Sequence, residues 1–233
     1  MFIDFHTHIL PGIDDGARDV NMSLKMLSTL QKQGVGVVAV TPHLYWHRQP
    51  LSEFILNRQE ALNVLLANQY EGMPIIVPGA EVYIEHGIRY EDVRPLCYAD
   101  TNYILLELPY SNYQNWFLEE VYHLCLTRSV IPVFAHLDRY IDMYSENAME
   151  EILDYQDAVI QINQEAILDG EHRNTVLKWI KEGRPVVFGS DCHDLKYRTS
   201  RELRLQAILK SKLGKDWLED YEKFTLNLIG KSK

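Results

Sequence analysis

Cysteine is scarce in this chain: Cys97, Cys125 and Cys192 are the only three among 233 residues, and their spacings are unrelated. That excludes a disulfide framework and a thiolate zinc motif, and it suits a reducing, cytoplasmic setting. No run approaches the roughly 18 apolar residues of a membrane span. The N-terminal segment lacks the basic flank and long apolar core of a secretory signal. Basic charge is also short: 23 Lys and Arg stand against 33 Asp and Glu, a net charge of −10. A nucleic-acid binder would need a basic stripe, so neither nucleic acid nor membrane insertion is expected. A local anion site remains compatible with this balance, because bound metal ions bring charge that composition does not record. No Gly/Ser/Pro-rich linker and no internal repeat divides the chain, so residues 1–233 are expected to form a single domain.

What the chain does have is alternation. Short apolar or β-branched runs fall at Phe2–Phe5, Gly36–Thr41, Ile75–Val77, Tyr103–Leu108, Ile131–Ala135, Val159–Ile162 and Pro185–Gly189. Several are continuously apolar, as strands buried on both faces should be. Helical patterns lie between them. Asp19–Gln33 carries Val20, Leu24, Leu27 and Leu30 at helical spacing and stops at Gly34. Leu51–Gln69, Asn115–Arg128, Glu146–Tyr155 and His172–Glu182 follow, and helices near Arg201–Leu213 and Trp217–Ile229 close the chain. Such alternation implies parallel strands with right-handed crossovers, hence an α/β barrel or an open doubly wound sheet.

The barrel is favoured by where titratable residues fall, since barrel chemistry gathers at the C-terminal ends of strands. The first strand runs into His6 and His8, the second into Thr41-Pro42-His43, and the third leads through Pro78-Gly79 to Glu81. Glu107 lies within the fourth, His136 follows the fifth, and the last delivers Asp191 and His193. The loop Leu10–Gly16 adds Asp14 and Asp15, of which Asp15 is expected as a ligand and Asp14 as the residue that holds the loop or orients a ligand. This pool of imidazoles and carboxylates exceeds the three or four protein ligands of one catalytic ion, so two or three ions sharing a carboxylate fit it. Nitrogen mixed with oxygen and no thiolate suits manganese, iron or zinc. Three divalent ions against Asp15, Glu81, Glu107 and Asp191 would leave a site of about +2, which attracts phosphate and acidifies bound water. His47, His86, His123 and His172 are read as solvated or structural.

Taken together, the segments His6-Thr7-His8 through Asp15-Gly16, Thr41-Pro42-His43, Pro78-Gly79-Ala80-Glu81, Tyr103–Glu107, Pro132–Tyr140 and Ser190-Asp191-Cys192-His193 resemble the PHP (polymerase and histidinol phosphatase) superfamily. More narrowly, they resemble its bacterial manganese-dependent tyrosine-protein phosphatases of capsule and exopolysaccharide biosynthesis. The resemblance covers essentially the whole chain. It implies a distorted seven-stranded, TIM-like β/α barrel holding three divalent metal ions, manganese first, with iron or zinc as alternatives. By position, His6, His8, Glu81 and Asp191 would hold one ion, Glu81, Glu107 and His136 a second, and Asp15, His43 and His193 the third. Two departures stand out. His136-Leu137-Asp138-Arg139 replaces the usual His-Pro-Glu-Arg, and Gln161-Ile162-Asn163-Gln164 replaces small polar residues.

The resemblance assigns phosphate binding to Arg139 and Arg198, whose planar guanidinium groups can grip two phosphate oxygens. The expected reaction is attack of metal-bound hydroxide on phosphotyrosine, with the tyrosine-rich tail of a bacterial tyrosine autokinase as the protein substrate. Phenolate, with a pKa of ~10, leaves without a strong general acid. Tyr45, Trp46, Tyr83, Tyr110, Tyr113, Trp116, Tyr140 and Tyr197 follow the motifs and could line a slot or anchor loops; none is assigned. Alternatives are a phosphoesterase for a small phosphate monoester and a metal-bound scaffold. Cys192 and Arg198 satisfy Cys-x5-Arg, but the intervening segment has no glycine to curl around phosphate and begins with acid. Strand alternation also aims Cys192 away from Asp191 and His193.

Overall fold

The computed structural model describes residues 1–196 and 200–230. Its strands are β1 Phe2–Asp4, β2 Val35–Val40, β3 His43–Leu44, β4 Ile75–Pro78, β5 Glu81–Tyr83, β6 Tyr103–Glu107, β7 Ile131–Phe134, β8 Val159–Asn163 and β9 Val186–Gly189. Its helices are α1 Val20–Lys32, α2 Leu51–Ala67, α3 Trp116–Arg128, α4 Glu146–Leu153, α5 Gln164–Leu168, α6 Arg173–Lys181, α7 Glu202–Leu213 and α8 Lys215–Leu228. The architecture is mixed α/β with every strand pair parallel, as the alternation of runs implied.

The strands form a three-stranded sheet, β1-β2-β4, and a six-stranded sheet, β3-β5-β6-β7-β8-β9. Two short strands, β3 and β5, lie just beyond the second and third expected strands and were not expected. Pro42 has no N–H to offer and separates β2 from β3, while Gly79-Ala80 separates β4 from β5. Backbone bonds nevertheless run through the breaks: Gly79 N–H donates to Val40 O at 3.0 Å and Glu81 N–H to Pro42 O at 3.0 Å. At the far side, Phe5 N–H donates to Phe188 O at 3.1 Å, Asp191 N–H to His6 O at 2.7 Å and His8 N–H to Cys192 O at 3.0 Å.

Local chemistry explains the elements. Asp19 caps α1 by accepting from Met22 N–H at 2.8 Å, and Met26, Leu27 and Leu30 form its buried stripe. β1 ends at Asp4 because its carboxylate accepts from His6 N–H and Ser190 N–H, at 3.3 and 2.8 Å. α5 had no signature in the sequence, since five residues are too few for a 3.6-residue period to register.

Apolar side chains from the strands meet in one cluster, including Ile3, Phe5, Val37, Ala39, Val77, Leu105, Val133, Val159 and Val187. A larger cluster lies between the strands and helices. Above the strand cluster, toward the strand C-termini, the interior turns polar. There β9 must pass close to the first strand: a Cβ on Gly189 would sit 2.5 Å from His6 Cβ and 2.9 Å from Gln161 Nε2. Gly189→Ala is therefore expected to destabilise by about 1–3 kcal/mol through overpacking. Thermal unfolding should show a melting point lower by roughly 2–12 °C, and an unchanged melting point would contradict this packing.

Candidate metal centre

The strand C-termini deliver nearly all the expected ligand side chains to one place. Donor atoms of His6, His8 and Glu81 lie within 4.8 Å of one another, as do those of His43, Glu81 and Glu107, and those of His8, Asp15, His43 and His193. His136 Nε2 is 2.8 Å from Glu81 Oε1 and 3.6 Å from Glu107 Oε1. Asp191 Oδ1 is 3.6 Å from His6 Nε2 and 3.4 Å from His8 Nε2. Glu81, the carboxylate expected to bridge, is buried with His43 Nδ1, His6 Nε2 and His8 Nε2 around its Oε2, at 2.9, 3.1 and 3.3 Å. Asp15 reaches in from the rim, its side chain 68% exposed and its Oδ1 3.3 Å from His193 Nε2.

The backbone bends to allow this. His136 and Asp191 both adopt left-handed conformations, with φ of 32° and 48°, which L-residues disfavour. Asp14 holds the first loop: its Oδ1 accepts from Gly16 N–H at 2.9 Å, and its Oδ2 lies 2.7 Å from His8 Nδ1 and accepts from His43 N–H at 3.2 Å. Gly16 is required in that loop, because a Cβ there would lie 2.0 Å from His8 O.

Acceptors behind the rings set which nitrogen faces inward. Gln161 Oε1 lies 2.9 Å from His6 Nδ1, and Asp191 O lies 2.9 Å from His193 Nδ1. Those carbonyl oxygens can only accept, so Nδ1 carries a hydrogen and Nε2 is the nitrogen turned inward, where Glu81 and Asp191 raise the His6 imidazole against the effect of burial. The Asp14 carboxylate does the same for His8, and the result is two Nε2 atoms 3.1 Å apart, both facing carboxylate oxygens. Oε2 of Glu81 is buried among imidazole nitrogens, and Oε2 of Glu107 is buried with no hydrogen-bond partner among the described residues. Lone pairs so aimed at one another need cations between them, or protons, so the donor set fits divalent metal ions.

The electrostatics carry the same mark. Burial works against the charge on Glu81, yet the imidazoles of His6 and His43 hold its carboxyl well below the usual range. Glu107 goes the other way: burial, then the neighbouring Glu81 charge, push it up to about 9. Burial also lowers His136 to about 4, keeping that ring neutral and able to coordinate. The split thus has separate causes: burial, with the neighbouring Glu81 charge added, raises Glu107, while the imidazoles pull Glu81 down.

Arg139 sits at the lip, its side chain 37% exposed, and pairs with Asp191 Oδ2. Arg198, the second expected phosphate residue, and Tyr197 lie outside the described residues. Of the aromatics, Tyr140 and Tyr144 donate to Leu108 O and Pro109 O and anchor a loop. Tyr45 lines a cleft of ≈ 410 Å³ with Asp14, Asp15, His43 and Arg48. Cys192 points away, packed in an apolar cluster with Ile9, Leu10 and Ala17, where burial pushes its thiol up and makes it a poor nucleophile. His47 and His86 are exposed, but His172 is partly covered beside Asp142. In the sequence, Gln161 and Asn163 stand out only as departures from a pattern. Their signal was two polar residues on the same parity of an otherwise apolar strand.

Comparisons with known proteins point one way. Residues 2–224 match the CpsB/CapC family of capsular polysaccharide synthesis. The tyrosine-protein phosphatase YwqE of Bacillus subtilis is 26% identical over 223 residues, covering 92% of this chain and 86% of that protein. The tyrosine-protein phosphatase CpsB of Streptococcus pneumoniae is 24% identical over 229 residues, covering 91% of each. Among solved structures, one reported with YwqE and CpsB as unique metal-dependent tyrosine phosphatases shares the fold. Its TM-score is 0.79 at 23% identity, with 100% of this chain and 96% of that chain covered.

The Glu107 shift has a measurable sign. Between 4.5 and about 9 the folded, metal-free protein keeps a proton on Glu107 that the unfolded chain has released, so its stability falls as pH rises through that window. His136 acts in the opposite sense, but only between about 4 and 6.5. Chelator-stripped protein should therefore lose melting temperature from about pH 7 to 9, and stripped Glu107→Gln should lose less. Parallel profiles for the two proteins would refute the assignment.

Proposed function

The chain belongs to the CpsB/CapC family of capsular polysaccharide synthesis, and on that premise we propose that it is a metal-dependent protein-tyrosine phosphatase. The observation that carries this reading is the buried set of inward-facing imidazole nitrogens and carboxylates with an arginine at its lip. The relatives named as tyrosine-protein phosphatases span nearly the whole chain and support it.

Three divalent ions, manganese first and iron or zinc otherwise, are proposed on the ligands His6, His8, Glu81 and Asp191; Glu81, Glu107 and His136; and Asp15, His43 and His193. Bound there, such ions acidify water and neutralise phosphate charge. The residues of the chain supply the rest. Glu81, at the centre of the imidazoles, is the acid group placed to serve more than one ion. Arg139 can exchange its Asp191 partner for two phosphate oxygens, a bidentate grip suited to the guanidinium plane. Arg198 is proposed as the second such arginine. The open cleft beside His43 and Tyr45 has room for a side chain that is still attached to a peptide. Because phenolate leaves with a pKa of ~10, no strong acid is required opposite the ions.

A single unit over residues 1–233 with a closed seven-stranded, TIM-like barrel is proposed for the fold. Its support is the backbone bonding that continues through the breaks after β2 and β4 and the backbone bonds joining the segment after β1 to β9 and the segment after it. The proposed partner is the phosphotyrosine-bearing tail of a bacterial tyrosine autokinase, encountered in the cytoplasm. Among the described residues no helix is long and apolar enough to cross a membrane.

Supplied with manganese, the protein is expected to hydrolyse phosphotyrosine peptides in preference to small phosphate esters, and chelation should abolish turnover. A preference for histidinol phosphate or a nucleotide would move the substrate to the small-molecule class. Loss of metal together with turnover is the expected effect of His136→Ala. Arg139→Ala should keep the metal content, measured by elemental analysis, while kcat/KM falls about 10- to 100-fold through loss of charge-assisted hydrogen bonds. An emptied metal site in Arg139→Ala would show that the arginine holds Asp191 rather than phosphate.

A further inference from the structure

Gln161 is wholly buried in the middle of β8, at the boundary between the apolar strand cluster and the polar centre. Four hydrogen bonds run through it and Asn163, and their directions can be deduced from their ends. His136 N–H can only donate, so the Gln161 atom 2.7 Å from it is the oxygen, Oε1. That same oxygen is 2.9 Å from His6 Nδ1, which must then carry a hydrogen. The amide nitrogen is left to donate to Asn163 Oδ1 at 2.9 Å. Asn163 Nδ2 in turn donates to Asp191 Oδ2 at 3.1 Å, where a carboxylate can only accept. Reversing either amide would set donor against donor at His136 and acceptor against acceptor at Asp191.

Anchoring and space reinforce the arrangement. Asn163 N–H donates to Asp138 Oδ1 at 2.8 Å, which ties the end of β8 to the turn that carries Arg139. Gly189 leaves the space beside which Gln161 Nε2 and the Cβ of His6 lie. One buried amide therefore touches the strand-1 histidine, the backbone of the left-handed His136 and, through Asn163, Asp191.

We propose that Gln161, with Asn163 as its relay, is the positioning residue that fixes His6 in the tautomer with Nε2 free for metal and holds the His136 and Asp191 turns in register with it. This inference rests on the metal-dependent reading above and deepens it. Groups that orient a metal's histidines in this way commonly change metal affinity by about 10–100-fold when removed. Gln161→Met keeps volume and burial but removes both the acceptor and the donor. Gln161→Glu keeps the acceptor facing His6 and His136 while losing the donor toward Asn163.

The test measures zinc and manganese affinity by chelator competition for the wild type and both variants, with no substrate present. It adds NMR of the imidazole N–H groups in zinc-loaded protein. Gln161→Met is expected to bind zinc about 10–100-fold more weakly and to lose the protected His6 Nδ1–H resonance, whereas Gln161→Glu should retain that resonance and bind more tightly than Met. Wild-type affinity with an unaltered His6 resonance in Gln161→Met would overturn the proposal. So would Gln161→Glu losing the resonance and as much affinity as Met, because that pattern indicates a packing role only. Should Gln161→Met fail to fold by circular dichroism, the Glu variant decides on the same two readouts. If the wild type itself binds neither metal, the phosphatase reading fails instead, and the two failures are thereby told apart.

Discussion

Every imidazole in the centre has two nitrogens, and the structure depends on which one is tied down. His6 gives Nδ1 to Gln161, His8 to Asp14 and His193 to the Asp191 carbonyl. All three partners lie behind the rings and accept only, so Nε2 of each ring turns toward Glu81, Asp191 or Asp15. With those tethers Nε2 of each ring is the nitrogen that meets the carboxylates, whose charge raises the His6 and His8 imidazoles against the effect of burial; the carboxylates are short of positive charge until protons or cations supply it.

The shortage reaches the surrounding chain. Glu81 stays ionised because imidazoles surround it, and its charge, added to burial, keeps Glu107 protonated up to about 9. Left-handed backbone at His136 and Asp191 adds strain that only firm packing can sustain. That packing is supplied below the centre by the strand cluster and outside it by the layer between strands and helices. Polar and apolar halves of the same strands thus divide the work: the lower half stabilises the fold and the upper half holds groups that would otherwise repel.

The legible parts of the chain were those with a local cause. Continuous apolar runs located β1, β2, β4, β6, β7, β8 and β9 to within a residue or two, and helical periodicity did the same for α1 and α3. The candidate ligands could be read as a group because strand ends in a parallel α/β fold converge, so His43 and Glu81, 38 positions apart, could be expected together. The breaks at Pro42 and Gly79-Ala80 were harder to read. A proline in a run marks a missing donor, but it does not say whether the ladder resumes beyond it. Asp138 illustrates the same limit: its sequence neighbours Leu137 and Arg139 gave no sign that it would accept from Asn163 N–H. Two neighbouring carboxylates in the first loop could be ranked by position, and Asp14 does take the loop-holding contacts while Asp15 reaches the rings from the rim.

From residue order alone came the strand–helix alternation, the inventory of nitrogen and oxygen donors, and the place of each donor at a strand end, because periodicity and polarity act over a few residues. Tertiary structure alone decided which nitrogen of His6, His8 and His193 is tied down, the opposite shifts of Glu81 and Glu107, and the burial that disarms Cys192. Those properties depend on groups far away in the chain, such as the Gln161 oxygen 155 positions from His6. A lone pair has no direction in a sequence; it acquires one only when folding places an acceptor behind the ring.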